Sequence, residues 1–137
     1  MKICLATSGR EGMKDVVSMN FGRCPYFTIV EIDENKDIKS VRVVQNPGGS
    51  AGSGAGVQAV QTVADNECKV VIAGAFGPNS FQILKAANMD VRECQEMKVE
   101  NAVEQYLSGK LPASSGEGRG PGRGGQGREK REGGGPW

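Results

Sequence analysis

The residues best equipped for chemistry in this chain are its four cysteines, Cys4, Cys24, Cys68 and Cys94. Thiolates are the preferred ligands of soft metals and iron–sulfur species. No two of the four are close in sequence and no Cys-x-x-Cys occurs, so neither a zinc ribbon nor a thioredoxin-type redox pair is signalled. The chain has no histidine. That excludes His-based acid–base catalysis, Ser-His-Asp triads and mixed Cys/His zinc sites. Cys24 stands out by its neighbours. It lies in Met19-Asn20-Phe21-Gly22-Arg23-Cys24-Pro25-Tyr26-Phe27, where a glycine, a cation, a thiol, a proline and three aromatic rings share nine positions. The rings could anchor such a loop, and Gly22 permits an unusual backbone angle or a close approach. Arg23 would favour the Cys24 thiolate and could pair with an anionic cluster. On this reading the loop is one wall of a metal–sulfur site, with Cys24 the first candidate ligand and Cys94 the second. A plainer reading stays open: Phe21 and Phe27 are core anchors, and Cys24 is a small buried hydrophobe.

Two glycine-bearing segments add candidate contacts. Residues 46–56, Asn-Pro-Gly-Gly-Ser-Ala-Gly-Ser-Gly-Ala-Gly, run into a helix. Backbone amides and the helix dipole make an anion site there, with Gly52 and Gly54 on it. Neither nucleotide fingerprint fits. No P-loop lysine follows, and the dinucleotide spacing set by Gly52 and Gly54 needs glycine where Val57 stands. A flexible lid or a close-packed turn is the other reading. Gly77-Pro78-Asn79-Ser80 opens a second helix, with Pro78 presetting its first turn and Asn79 or Ser80 as cap. Gly77 and Asn79 join the candidate binding residues. Asp15, Asp33, Asp37, Asp65 and Asp90 are scattered, so the converging carboxylates of a two-metal nuclease are missing.

These loops need elements to position them. Residues 2–7 read as a first strand, apolar on most positions and so covered on both faces. Residues 8–18 are a polar loop. Residues 27–33 and 38–45 are β-branched runs joined by a short polar turn, hence an antiparallel hairpin. A helix follows over 54–66, with Val57, Val60, Val63 and Ala64 inward. Residues 69–73 are a buried central strand. A second helix runs over 78–88 with Phe81, Leu84 and Ala87 inward, and 89–92 form a fifth strand. A third helix covers 97–108, with Val99, Ala102, Val103, Tyr106 and Leu107 inward and Gly109 just past its end. The order βββαβαβα implies an α/β fold, a mixed five-stranded sheet with helices on its faces. Ligands bind such sheets outside the carboxyl ends of the parallel strands. The loops after strand one, before helix one and after strand four should therefore share one rim.

The chain of 137 residues divides into one domain over 1–111 and a Gly/Arg-rich tail over 112–137. The tail is too poor in apolar residues to offset ordering entropy and is expected to be disordered, with Trp137 exposed. It carries five cations against three acids, while the whole chain is at +1. That balance does not suit an electrostatic nucleic-acid binder, although Arg-Gly segments can bind RNA. No apolar run approaches the ~20 residues of a membrane span. The expected location is the cytoplasm, with the thiols reduced.

The pattern also resembles the dinitrogenase iron–molybdenum cofactor biosynthesis family. The resemblance is carried by residues 1–8, by Asn20-Phe21-Gly22-Arg23-Cys24-Pro25-Tyr26-Phe27, by the glycine-rich approach to helix one, and by Ala75-Phe76-Gly77-Pro78-Asn79-Ser80-Phe81 with Leu84-Lys85-Ala86-Ala87. It runs in register over 1–111. Many members carry a histidine before the Phe-Gly pair, where this chain has Asn20. The resemblance implies a three-layer, ribonuclease-H-like domain. It implies a non-enzymatic carrier for an iron–sulfur or iron–molybdenum–sulfur cluster, working with cofactor-assembly proteins as a monomer or weak dimer. Arg23, Asn20, Gly22, Gly52, Gly54, Gly77 and Asn79 would then hold the cofactor, and Cys24 and Cys94 its metal. The alternative is a protein–protein or RNA-binding adaptor that uses the fold as platform and the tail as tether.

Overall fold

The computed structural model describes residues 1–50 and 54–114, with the backbone alone at 49 and 50. Gly52 and the tail from residue 115 onward, with the expected disorder and Trp137, lie outside the described residues. Five strands and three α-helices follow the expected order: β1 (Lys2–Thr7), β2 (Tyr26–Ile32), β3 (Ile38–Gln45), α1 (Ala55–Asp65), β4 (Val70–Ala73), α2 (Pro78–Ala86), β5 (Asp90–Glu93) and α3 (Val99–Leu107).

The strands form one mixed sheet in the order β3-β2-β1-β4-β5. The short 33–37 turn makes β2 and β3 antiparallel, with Phe27 opposite Val44 and Val30 opposite Val41. β1 pairs antiparallel with β2 and parallel with β4, and β4 is parallel to β5. Strand alternation sorts β1 onto two cores. Cys4 and Ala6 face α1 and α2, packing with Phe27, Ala59, Val63, Val71 and Leu84. Ile3 and Leu5 face α3, packing with Val30, Ile72, Val99, Ala102 and Val103. Three layers result, and both faces of β1 are dry, as its apolar run requires. Burying each such Ile, Leu or Val side chain contributes roughly 1.5–3 kcal/mol.

Two helix expectations are corrected. The inward stripe of α1 is Ala55, Ala59, Val60 and Val63; Val57 is 56% exposed. The first turn of α1 lies against backbone at Gly22, so small residues turn inward and Val57 turns out. In α2 the buried residues are Ser80 and Leu84, Phe81 is partly buried and Ala87 is exposed. Neither Asn79 nor Ser80 caps it: the N-cap is Gly77, without a side-chain hydrogen bond. Helix α3 buries Val99, Ala102 and Val103 as read, and Gly109 turns left-handed (φ 74°) just beyond it.

Edge contacts continue three residues past Leu111. Ala113 bridges Arg92, the Ser114 amide donates to the Val91 carbonyl at 2.8 Å, and the Ser114 hydroxyl donates to Glu93 Oε2 at 2.7 Å. This segment covers the outer edge of β5, which would otherwise present unpaired backbone groups. No helix among the described residues is long and apolar enough to cross a membrane.

Candidate functional site

Two antiparallel steps bring β3 into the direction of β1, β4 and β5, so the segments leaving Thr7, Gln45, Ala73 and Glu93 all emerge at one rim. Backbone hydrogen bonds tie them together. The Gly74 amide donates to the Ser18 carbonyl at 2.9 Å and the Phe21 amide to the Ala75 carbonyl at 3.2 Å. The Asn46 amide donates to the Pro25 carbonyl at 3.0 Å, and the Cys94 amide to the Ala73 carbonyl at 3.2 Å. Met19 lies flat on Gly74, where a Cβ would meet the Met19 backbone at 2.6 Å; only glycine allows that approach.

The loop of residues 19–27 is pinned by its rings. Phe21 stacks at tilted angles on Phe27 (5.5 Å between centroids) and Phe76 (5.1 Å), and all three are buried. Tyr26 receives the Arg10 guanidinium over its ring at 5.5 Å. Asn20 is exposed on this loop. Here it shapes the turn: its Oδ1 accepts from the Arg23 amide at 3.1 Å, and its own amide donates to Ser18 Oγ. Arg23 is exposed on the rim. Gly22 faces the first turn of α1, 3.4 Å from a Gly22 Cβ position to Gly56 Cα.

Both glycine-started helices open on this rim. Gly54 caps α1 in the left-handed region (φ 71°) and Gly77 caps α2 in extended backbone, and neither cap has a side-chain hydrogen bond. Neither N-cap, being glycine, offers a side-chain acceptor to the first-turn amides at the positive ends of two helix dipoles, and Pro78 in α2 carries no N–H. The two ends adjoin: a Cβ on Gly56 would come within 2.4 Å of Ser80 Oγ. Gly22, Gly54, Gly77 and Asn79 are therefore brought to one rim with Arg23 and Asn20, while Gly52 lies outside the described residues.

The cysteines depart from expectation. Cys24 is 1% exposed, its thiol donates to the Phe21 carbonyl at 3.2 Å, and the Asn46 amide side chain lies 3.7 Å from its sulfur. Burial pushes the Cys24 thiol up to about 12, outweighing the hydrogen bond from Asn46. The expected thiolate beside Arg23 is thus absent from this arrangement, because loss of water dominates over a neighbouring exposed cation. Cys94 leaves β5 at the same rim but packs into the α3-side core, opposite the core of Cys24. Burial raises its thiol to about 11, with Glu93 adding to the effect. The sheet keeps the two candidate ligands on separate faces. Among the described residues no group of three or more His, Cys, Asp or Glu side chains is arranged to hold a metal ion.

Asn46, Ser80, Gly56 and Gly74 do as much to build the rim as any residue singled out by motif. Asn46 and Gly56 lie in the glycine-rich run and Ser80 in the Gly77-Pro78-Asn79-Ser80 motif, but their roles as clamp and packing neighbours carry no local signal.

Residues 1–109 match the family described as dinitrogenase iron-molybdenum cofactor. An uncharacterised protein of Methanocaldococcus jannaschii is 30% identical over 95 residues, which covers 69% of this chain and 80% of that protein. The apo form of the orange protein from Desulfovibrio gigas superimposes with a TM-score of 0.73 at 29% identity, over 87% of this chain and 96% of that one. A Thermotoga protein of the DUF35 family superimposes with a TM-score of 0.67 at 28% identity, over 82% of this chain and 91% of that one.

Proposed function

Since this chain belongs to the dinitrogenase iron-molybdenum cofactor family, we propose that it is a non-enzymatic carrier that takes up an anionic metal–sulfur cofactor at the carboxyl rim of its sheet. The cofactor is cargo, delivered onward to cofactor-assembly proteins. The observation that carries the reading is the pair of adjoining helix ends begun by Gly54 and Gly77, whose glycine N-caps supply no side-chain acceptor to the first turn. Such ends favour anions without any dedicated side chain. Arg23 and Arg10 add positive charge, and exposed Met19 and Val57 supply apolar, polarisable surface suited to a sulfide-rich species.

On this reading the amides, Arg23, Asn20, Gly22 and Asn79 hold the cofactor first. Cys24 joins as a metal ligand only after its thiol leaves the Phe21 carbonyl and loses its proton. Cys94 serves from the other face of the sheet only if its own segment moves. The test is anaerobic reconstitution of the full chain with iron, molybdate and sulfide, followed by desalting, metal analysis and a visible spectrum. Wild type should retain metal with sulfide-to-metal absorption. Asn79→Asp, which puts a carboxylate at the start of α2, should lose it while the far-UV spectrum stays native. Cys24→Ser separates amide holding from thiolate ligation. A colourless, metal-free wild type would end the carrier reading.

A further inference from the structure

The sheet has two outer strands, and they are finished differently. At β5 the segment through Ala113 and Ser114 pairs with the outer edge. At β3, among the described residues, no strand or bridge pairs with the side away from β2. Alternate residues of an antiparallel edge strand turn their amide and carbonyl outward, so β3 offers a row of backbone donors and acceptors to a further strand. The register shift at Glu31 and Ile32 disturbs the ladder beside Ile38 and leaves it regular from Ser40 to Gln45.

Side chains along this edge are sorted by face. Val41 and Val43 lie opposite Val30 and Thr28, and Ile38 lies opposite Ile32, on the face of the α3-side core to which Val30 and Ile32 belong. Val41 and Ile38 are exposed and Val43 is half-buried. Beside Ile38 this face opens into a groove of about 510 Å³ walled by Val103 and Leu107 of α3, with Glu100 and Glu104 also lining it. It therefore suits apolar side chains and disfavours added carboxylates. The other face carries Ser40, Arg42 and Val44, opposite Glu31, Ile29 and Phe27. Glu31 accepts from the Ser40 hydroxyl at 3.3 Å. Arg42 is exposed, and its guanidinium donates to Asn66 Oδ1 at 2.9 Å, a neutral partner that leaves its charge uncompensated. The strand holds two cations, Lys39 and Arg42, and no acid. Neither is in an ion pair among the described residues.

We propose that β3 is a docking edge for an extended acidic segment of a partner protein, which adds to the sheet as a further strand with apolar side chains against Val41 and Val43 and a carboxylate against Arg42. Backbone pairing supplies the attachment and the side-chain pattern supplies the choice. A segment of alternating apolar and acidic residues puts one kind on each face, as this edge requires. Opposite charges directly across a ladder attract and like charges repel. That sign argues against the two other occupants at hand. A second copy would lay Lys39 and Arg42 of one strand along Lys39 and Arg42 of the other, with no carboxylate on either strand. The chain's own residues 115–137 carry five cations against three acids and are rich in glycine, which suits neither the charge of β3 nor a pleated ladder. The inference does not rest on cofactor binding, since the strand includes none of the residues named as holding the cofactor.

The probe is a fluorescein-labelled eight-residue peptide of alternating valine and glutamate, titrated with the cofactor-free full-length protein and read by fluorescence anisotropy. Saturable binding is expected. The same peptide N-methylated at every internal amide should lose it, because the charge is kept and the ladder is not. Arg42→Glu should weaken the glutamate peptide by roughly tenfold and should bind a valine–lysine peptide that the wild type does not. Amide hydrogen exchange locates the contact: the outward amides of residues 40–45 should exchange fast in the free protein and slowly with the peptide bound. No binding, or equal binding of the N-methylated peptide, would overturn the proposal. So would outward amides already slow in the free protein, since a second copy or residues 115–137 would then occupy the edge. The wild-type comparison of the two peptides decides by itself should Arg42→Glu fold poorly.

Discussion

Asn46 grips Cys24 by its backbone and its sulfur at once: Asn46 Nδ2 donates to the Cys24 carbonyl at 2.7 Å and lies 3.7 Å from Sγ. The same nitrogen is 3.2 Å from the Gly22 carbonyl, and Asn46 Oδ1 accepts from the Gly48 amide at 3.0 Å. One buried side chain thus ties the segment after β3 to the aromatic loop after β1 and keeps the thiol inside.

Removing that grip should be costly. Asn46→Ala leaves the Cys24 carbonyl and the Gly48 amide without their partners in a dry place. A buried unsatisfied group costs about 1–3 kcal/mol, so a loss of about 2–3 kcal/mol is expected. Urea unfolding should show a lower midpoint at unchanged slope. The same variant should make Cys24 react faster with a thiol reagent in the native state, since its carbonyl and sulfur are released together. Unchanged Cys24 labelling would mean that Phe21 and the core alone hold the thiol.

The contact between the two helix ends predicts a coupled pair of substitutions. Gly56→Ala puts a methyl 2.4 Å from Ser80 Oγ but 3.7 Å from Ser80 Cβ. Alone it should destabilise by about 1–3 kcal/mol through overpacking. With Ser80→Ala the obstructing oxygen is gone and the Cβ contact is ordinary, so the double variant should recover most of the loss. A double-mutant cycle in urea measures this. Additive effects would show that the helix ends do not press on each other in solution.

Stability should fall on the alkaline side for a stated reason. The Cys24 thiol titrates near 9.0 when unfolded and near 12 when folded. Below pH 9 both states hold the proton and its contribution is complete. Between pH 9 and 12 the unfolded chain gives up the proton while the native one keeps it, so stability declines as pH rises. The expected slope for one such group is about 1.4 kcal/mol per pH unit. Chemical denaturation from pH 8 to 11 should show a steeper decline in wild type than in Cys24→Ala. Parallel curves would place the native Cys24 pKa near its ordinary value.

Much of the rim was legible before any coordinates. Its glycines announced themselves by spacing, its aromatic loop by composition, and its gathering at one edge by the βββαβαβα order. Asn46 was harder to see as a clamp, since an Asn before Pro and Gly reads first as a turn residue. Ser80 read as a cap and proved to be a packing neighbour of Gly56, because which residues face each other across two helices depends on how closely their axes approach.

Local pattern by itself determined the strands, the helices and their order. Alternation and helical periodicity are properties of neighbouring residues, and β1 and β3 carry their full bounds in sequence. Tertiary structure alone decided the chemical state of the cysteines and the face each one occupies. The Cys24 thiol is pushed up to about 12 because the α1-side core, built largely from residues distant in sequence, excludes water from it. Cys94 is parted from it by the sheet. Cys4 and Cys68, 64 positions apart, enter the same core only because β4 inserts beside β1. Desolvation and contact between sequence-distant groups are sums over the folded molecule, so no short stretch of the chain contains them.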